Sequence, residues 1–169
     1  MPWTTPETFT AGQTLTAASM NLITGNLDYL PRGVIGINTA VTSSFTTSAT
    51  HTTMQDITGM SCSATYGANR YLRVTISIGP YASGGFQAIQ YRLLRGSTTI
   101  HNFDFPSEAM AVGVAFGVTR TIVIEGPSTG ATETFKVQMR AISNNTAVSN
   151  YAAGVFPGRI IVEDVGSSA

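Results

Sequence analysis

The sequence predicts a mainly β protein, an antiparallel β-sandwich or barrel preceded by an extended N-terminal arm and one short α-helix. Three observations lead there. Beyond residue 31 the apolar residues recur in short runs bounded by Gly, Pro, Ser or Asn, the pattern of strands joined by turns. Only one stretch, between Thr14 and Leu30, carries a helical period. Charged residues make up 11% of the chain against a usual ~25%. In their place stand 25 Thr and 15 Ser among 169 residues, types that suit strands and turns.

Taken in order, the first residues read as an arm, with Pro2 and Pro6 breaking any regular element and Trp3 and Phe9 offering two large apolar side chains. Thr16 is placed to cap a helix, and Ala17 and Ala18 favour one. Met20, Ile23, Leu27 and Leu30 then form one apolar stripe at spacings of three, four and three, before Pro31 ends the helix. The stripe suits either the surface of the chain's own β region or a seam between identical subunits. Gly25 weakens so short a helix by roughly 1 kcal/mol, so a partner surface is required.

The strand region begins with Val34–Ile37 and continues with 53–64, one or two strands broken near Gly59. Residues 71–78 alternate cleanly, Leu72, Val74, Ile76 and Ile78 to one side and Arg73, Thr75 and Ser77 to the other, as in a half-buried antiparallel strand. Pro80 to Gly85 reads as a turn cluster. Further strands are expected at 86–95, 98–103, 110–116, 118–125, 133–142, 147–151 and 159–165. With no repeat and no linker inside this region, two units follow: residues 1–31 as arm and helix, for attachment or oligomerisation, and residues 32–169 as the β head.

The chemistry is sparse. Nine basic and nine acidic side chains give zero net charge, unlike a nucleic-acid binder. Cys62 is the sole cysteine, which excludes an internal disulfide and a multi-thiolate metal site, and a buried thiol is expected. No apolar run approaches the ~20 residues needed to cross a bilayer, and the first residues lack the features of a signal peptide, so a soluble chain made in a reducing cytoplasm is expected. His101, Asp104 and Ser107 are close in sequence, but triads are recognised by geometry and no nucleophile elbow is present. No metal-ligand spacing or phosphate loop occurs, so neither metal nor cofactor is expected. Glu163 and Asp164 are adjacent and would face opposite sides of a strand. Trp3, Tyr81, Phe86, Tyr91 and Tyr151 are aromatic candidates for stacking on sugars, against the plainer reading of core residues. The basic set is arginine apart from Lys136, a bias that favours fixed pairing at interfaces.

The opening, Trp3-Thr4-Thr5-Pro6-Glu7-Thr8-Phe9-Thr10-Ala11-Gly12-Gln13-Thr14-Leu15-Thr16-Ala17-Ala18-Ser19-Met20-Asn21, resembles the run W-x-x-P-x-x-[FW]-x-x-G-x-x-[LV]-T-A-x-x-[LM]-N of tailed-bacteriophage virion proteins. Those proteins follow it with D-N-[ILM]-x-x-L, where this chain has Asn26-Leu27-Asp28-Tyr29-Leu30 in a different order. The ending Ile160-Ile161-Val162-Glu163-Asp164-Val165-Gly166 is similar to their L-[LV]-V-E-D-I-G close. The β region looks like the jelly-roll heads of the complement and tumour-necrosis-factor type, which are homotrimers. The resemblance implies a non-enzymatic structural component of a bacteriophage virion, assembled in the host cytoplasm and located in the virion. It would be a capsid decoration protein or a minor tail or fibre component. Its partners would be its own copies and neighbouring capsid or tail subunits. Met20, Ile23, Leu27 and Leu30 would then be the trimer seam, and Trp3 and Phe9 the anchors into neighbouring subunits. A receptor- or glycan-binding head is the alternative, and a glycan hydrolase a remote third.

Overall fold

The computed structural model describes residues 14, 16–21, 30–47, 53–82, 88–105, 114, 116–142, 148–150 and 157–167. The fold is mainly β, as expected. Its strands are β1 (Gly33–Ile37), β2 (Phe45–Thr46), β3 (Gln55–Tyr66), β4 (Arg70–Ile78), β5 (Pro80–Ala82), β6 (Ile89–Arg95), β7 (Thr98–Phe105), β8 (Val118–Glu125), β9 (Ala131–Ala141), β10 (Val148–Asn150) and β11 (Arg159–Ser167).

Two four-stranded sheets form the sandwich, with orders β1-β11-β4-β8 and β3-β9-β6-β7, and β2-β10-β5 make a small third sheet. All pairings are antiparallel. The eight long strands pair as nested hairpins: first with last, second with seventh, third with sixth, fourth with fifth. Successive nested pairs fall in alternate sheets, which is the jelly-roll winding.

Alternation along the strands builds the core. β4 turns Leu72, Val74, Ile76 and Ile78 inward, as its sequence pattern requires, and β11 adds Ile160 and Val162, all at most 1% exposed. The second sheet supplies Met60, Phe135, Val137, Met139, Ile89, Tyr91 and Leu93, each fully buried. Tyr91 stacks on Phe103 at 5.4 Å between ring centroids, and Phe105 meets Tyr91 edge-on at 5.6 Å. Such ring pairs add about 0.5–1.5 kcal/mol each to the burial of their area.

Three elements differ from expectation. β3 is one continuous strand, because Gly59, at φ +80°, takes up a register shift between Asp56 and Ser61 as a bulge rather than a break. Pro80–Ala82, expected as turn, pairs with β10; Pro80 opens the strand, a position where its missing N–H is tolerated. Phe45–Thr46, where no strand was expected, forms the two-residue β2 against β10. The strand expected at 110–116 lies mostly outside the described residues, and Val114 and Phe116 are not in a strand.

Candidate interaction surface

Among the described residues before β1, Leu30 meets the strand region at a buried corner through its backbone. Residues 17–21 are helical, and Thr16 caps them as expected: its Oγ1 accepts the Ser19 N–H at 3.1 Å, and its carbonyl accepts the Met20 N–H at 3.0 Å. Where the chain enters the head, the Leu30 carbonyl accepts a hydrogen bond from Arg70 Nη2. The same guanidinium grips Asp164 from Nε, at 2.9 Å to both carboxylate oxygens, and from Nη2, at 2.7 Å to Oδ1. The pair is 3% and 0% exposed at its side chains. Asp164 Oδ1 also accepts the Gly166 N–H at 3.1 Å. A buried pair is retained only with its remaining groups satisfied, and here the carbonyl of Leu30 is part of that satisfaction. Adjacent Glu163 points outward, as the strand alternation requires, and Arg73 donates to it at 2.8 and 2.9 Å.

Of the expected seam residues, Met20 and Leu30 are each 48% exposed. Ile23 and Leu27 lie outside the described residues, as do the expected anchors Trp3 and Phe9.

The outer faces of the two sheets are unlike. On β1-β11-β4-β8, Val34, Ile37, Tyr71 and Val123 all turn outward and are 55%, 50%, 41% and 60% exposed. Half-buried Ile161 lies beside Ile37 in the same layer. In register, the Arg73–Glu163 pair lies between Val34 and Val123, and the hydroxyl pairs Thr75 with Thr121 at 3.1 Å and Ser77 with Thr119 at 3.2 Å continue the face along β4 and β8. On β3-β9-β6-β7 none of the described strand residues is an exposed large hydrophobic. That face carries Asp56 with Lys136 at 2.9 Å and Gln138 at 2.7 Å, Thr65 with Thr132 at 2.8 Å, and Arg140 with Gln90 at 2.9 Å. Partial burial raises the Asp56 carboxyl, but the hydrogen bonds from Gln138 and Lys136 outweigh it and hold the group below its ordinary value.

The β1-β11-β4-β8 face was missed in reading the sequence. Outward Val34, Ile37 and Val123 each break a polar face, a signal visible only once the inward set of each strand is known. At β1 a bulge between Val34 and Gly36 lets both Val34 and Ile37 face out, which simple alternation forbids.

The catalytic candidates do not assemble. His101 and Asp104 stand three apart on β7, hence on opposite faces, and Ser107 lies outside the described residues. Among the described residues no three His, Cys, Asp or Glu side chains gather as a metal site. Burial pushes the Cys62 thiol up to about 11, a protonated and unreactive state at neutral pH. Of the aromatics considered for sugar stacking, Tyr91 is 0% exposed and closed to any ligand, its hydroxyl lying 3.4 Å from Asn150 Oδ1 and pushed to a higher pKa by burial. Tyr81 is half-buried, and Trp3, Phe86 and Tyr151 are outside the described residues.

No protein-family model and no curated protein sequence matches the chain. Solved structures that overlap it include viral proteins. The infectious bursal disease virus VP2 subviral particle overlaps at TM-score 0.46 and 16% identity, covering 81% of this chain and 38% of that one. Vertex protein P5 of PRD1 overlaps at TM-score 0.44 and 13% identity, covering 80% and 99%. Eiger TNF from S. frugiperda overlaps at TM-score 0.48 and 12% identity, covering 82% and 96%. The chain thus spans well under half the length of the bursal disease virus protein. At these scores and identities the overlaps carry no function across.

Proposed function

We propose that the chain is a non-enzymatic structural component of a bacteriophage virion, with residues 1–31 attaching and joining copies and residues 32–169 forming a displayed head. The observation that carries the self-associating part of this reading is that, among the described strand residues, the exposed large hydrophobics Val34, Ile37, Tyr71 and Val123 lie on one sheet face. Apolar side chains exposed on one face and not on the other support that face as the contact surface. Met20 and Leu30, also exposed, belong to the stripe that would close as a trimer seam, and the hydrogen bond from Arg70 to the Leu30 carbonyl ties the last residue of that stripe to the strand region. The phage assignment rests on the motifs at residues 3–21 and 160–166. Trp3 and Phe9 would insert into a neighbouring capsid or tail subunit, since desolvated aromatics dominate interface energy.

Immunogold electron microscopy of particles of the encoding phage tests the assignment. Gold over the shell indicates capsid decoration, and gold confined to the tail indicates a tail or fibre component. Unlabelled particles would overturn the virion reading.

A further inference from the structure

A groove of about 650 Å³ opens between the segment joining β1 to β2 and the bulged part of β3. Its geometry is fixed from within. The Asn38 side chain donates to the Gly59 carbonyl at 2.9 Å and accepts the Ile160 N–H at 2.7 Å, and Val41 exchanges two backbone hydrogen bonds with Gly158, both 2.9 Å. Gly59 lets Val41 approach so closely that a Cβ there would lie 2.9 Å from Val41 Cγ2. The groove is therefore a preformed concavity, the ordinary form of a ligand site.

The lining mixes hydroxyl-bearing side chains with apolar Ala40, Val41 and Phe45. Thr39, Thr42 and Ser43 present exposed hydroxyl-bearing side chains on one wall, Thr58 and Ser61 on the other, and half-buried Phe45 adds an aromatic surface. Among the described residues no ionisable side chain lines it. Each hydroxyl both donates and accepts, so the walls match a ligand that is itself rich in hydroxyls. An uncharged lining offers nothing to offset the desolvation of an anion or a cation. An added peptide strand would need an unbroken edge of backbone donors and acceptors, and the bulge at Gly59 interrupts that edge on β3.

We propose that this groove binds a neutral oligosaccharide, its hydroxyls exchanging hydrogen bonds with Thr39, Thr42, Ser43, Thr58 and Ser61 and its apolar C–H surface lying against Phe45. The site goes beyond a structural role and does not depend on it; a displayed head with such a groove would touch neutral surface glycan.

Calorimetric titration of the full chain with neutral gluco-, galacto- and N-acetylgluco-oligosaccharides tests it. Saturable binding of at least one probe in the micromolar to millimolar range is expected. Thr58→Glu and Ser43→Glu, both at exposed positions, should each weaken it at least about tenfold, a loss of about 1.4 kcal/mol. Thr99→Glu, at an exposed position on β7 at the other edge of the sheet from β3, should leave it unchanged, and circular dichroism confirms that each variant folds. Binding of none of the probes, binding indifferent to the groove variants, or preference for an extended peptide would overturn the proposal. None of these outcomes bears on the particle labelling, so the two readings fail separately.

Discussion

Arg70 and Asp164 hold the most exacting position in the molecule. Both charges are out of water, and each has its lone pairs or protons taken up by the other, by the Gly166 N–H and by the Leu30 carbonyl. Removing one partner leaves the other buried and unpaired. Asp164→Asn or Arg70→Leu is therefore expected to destabilise the fold by about 3–5 kcal/mol in chemical denaturation. Replacing both with apolar residues of matched volume should cost far less, because no charge is then stranded. A double variant as unstable as either single one would contradict this account. Cys62 gives a second prediction at the same scale. Its thiol is raised by burial to about 11, so it should resist a disulfide reagent at pH 8 until denaturant opens the fold. Because the folded value lies above the unfolded one, the associated stability is full below about 9 and is lost as pH climbs towards about 11. The burial of Cys62 is legible in the sequence from its place among alternating residues. The Arg70–Asp164 pair is not, because the partners are ninety-four residues apart and only the sheet register brings them together.

Among the elements, β4 was legible from Leu72 to Ile78, where one face is apolar and the other polar, but not at its start, where Arg70 turns inward and Tyr71 outward. β1 was legible as a strand but not in its facing. Gly36 sits against β3 so tightly that a Cβ would lie 2.8 Å from the Ser63 carbonyl oxygen and 2.9 Å from Ala64 Cβ. Gly36→Val should thus force β1 away from β3 and cost about 1–3 kcal/mol by overpacking. Thermal melts should show Gly67→Val as the milder change, since its nearest neighbours are the ends of the Arg32 side chain at 3.8 and 3.9 Å. The cross-strand pair Arg73–Glu163 predicts a pH effect. The Arg73 hydrogen bonds hold the Glu163 carboxyl below its ordinary value. Its small stabilisation is present above the unfolded carboxylate value and is lost as pH falls through the lowered folded value. The melting temperature of Glu163→Gln should therefore approach that of the wild type on acidification from pH 7 to below 4. A gap that widens would refute the pairing as a source of stability.

For the whole molecule, the scarcity of charge has a structural counterpart. Hydroxyl pairs such as Thr75 with Thr121 and Thr65 with Thr132 stand beside a few ion pairs on both sheets, and among the described strand residues the β1-β11-β4-β8 sheet alone adds exposed large apolar side chains to them. Two surfaces thus compete as the self-contact, the helix stripe and the β1-β11-β4-β8 face, and they predict different variants to be disruptive. Leu27→Asp places a charge in the stripe, and Val123→Asp places one at the most exposed apolar position of the sheet. Burying an unpaired carboxylate at a subunit contact costs several kcal/mol, enough to dissociate a trimer at micromolar concentration. Analytical ultracentrifugation of the wild type should show a trimer, with Leu27→Asp sedimenting as a monomer if the stripe is the seam. If the sheet face closes the assembly as well, Val123→Asp should also dissociate it, while Thr134→Asp on the opposite sheet leaves the trimer intact. A wild type that is monomeric at all concentrations would remove self-association. A trimer indifferent to both variants would move the contact elsewhere on the chain. A trimer broken by either variant should also lose thermal stability on dilution, since folding and association are linked by mass action.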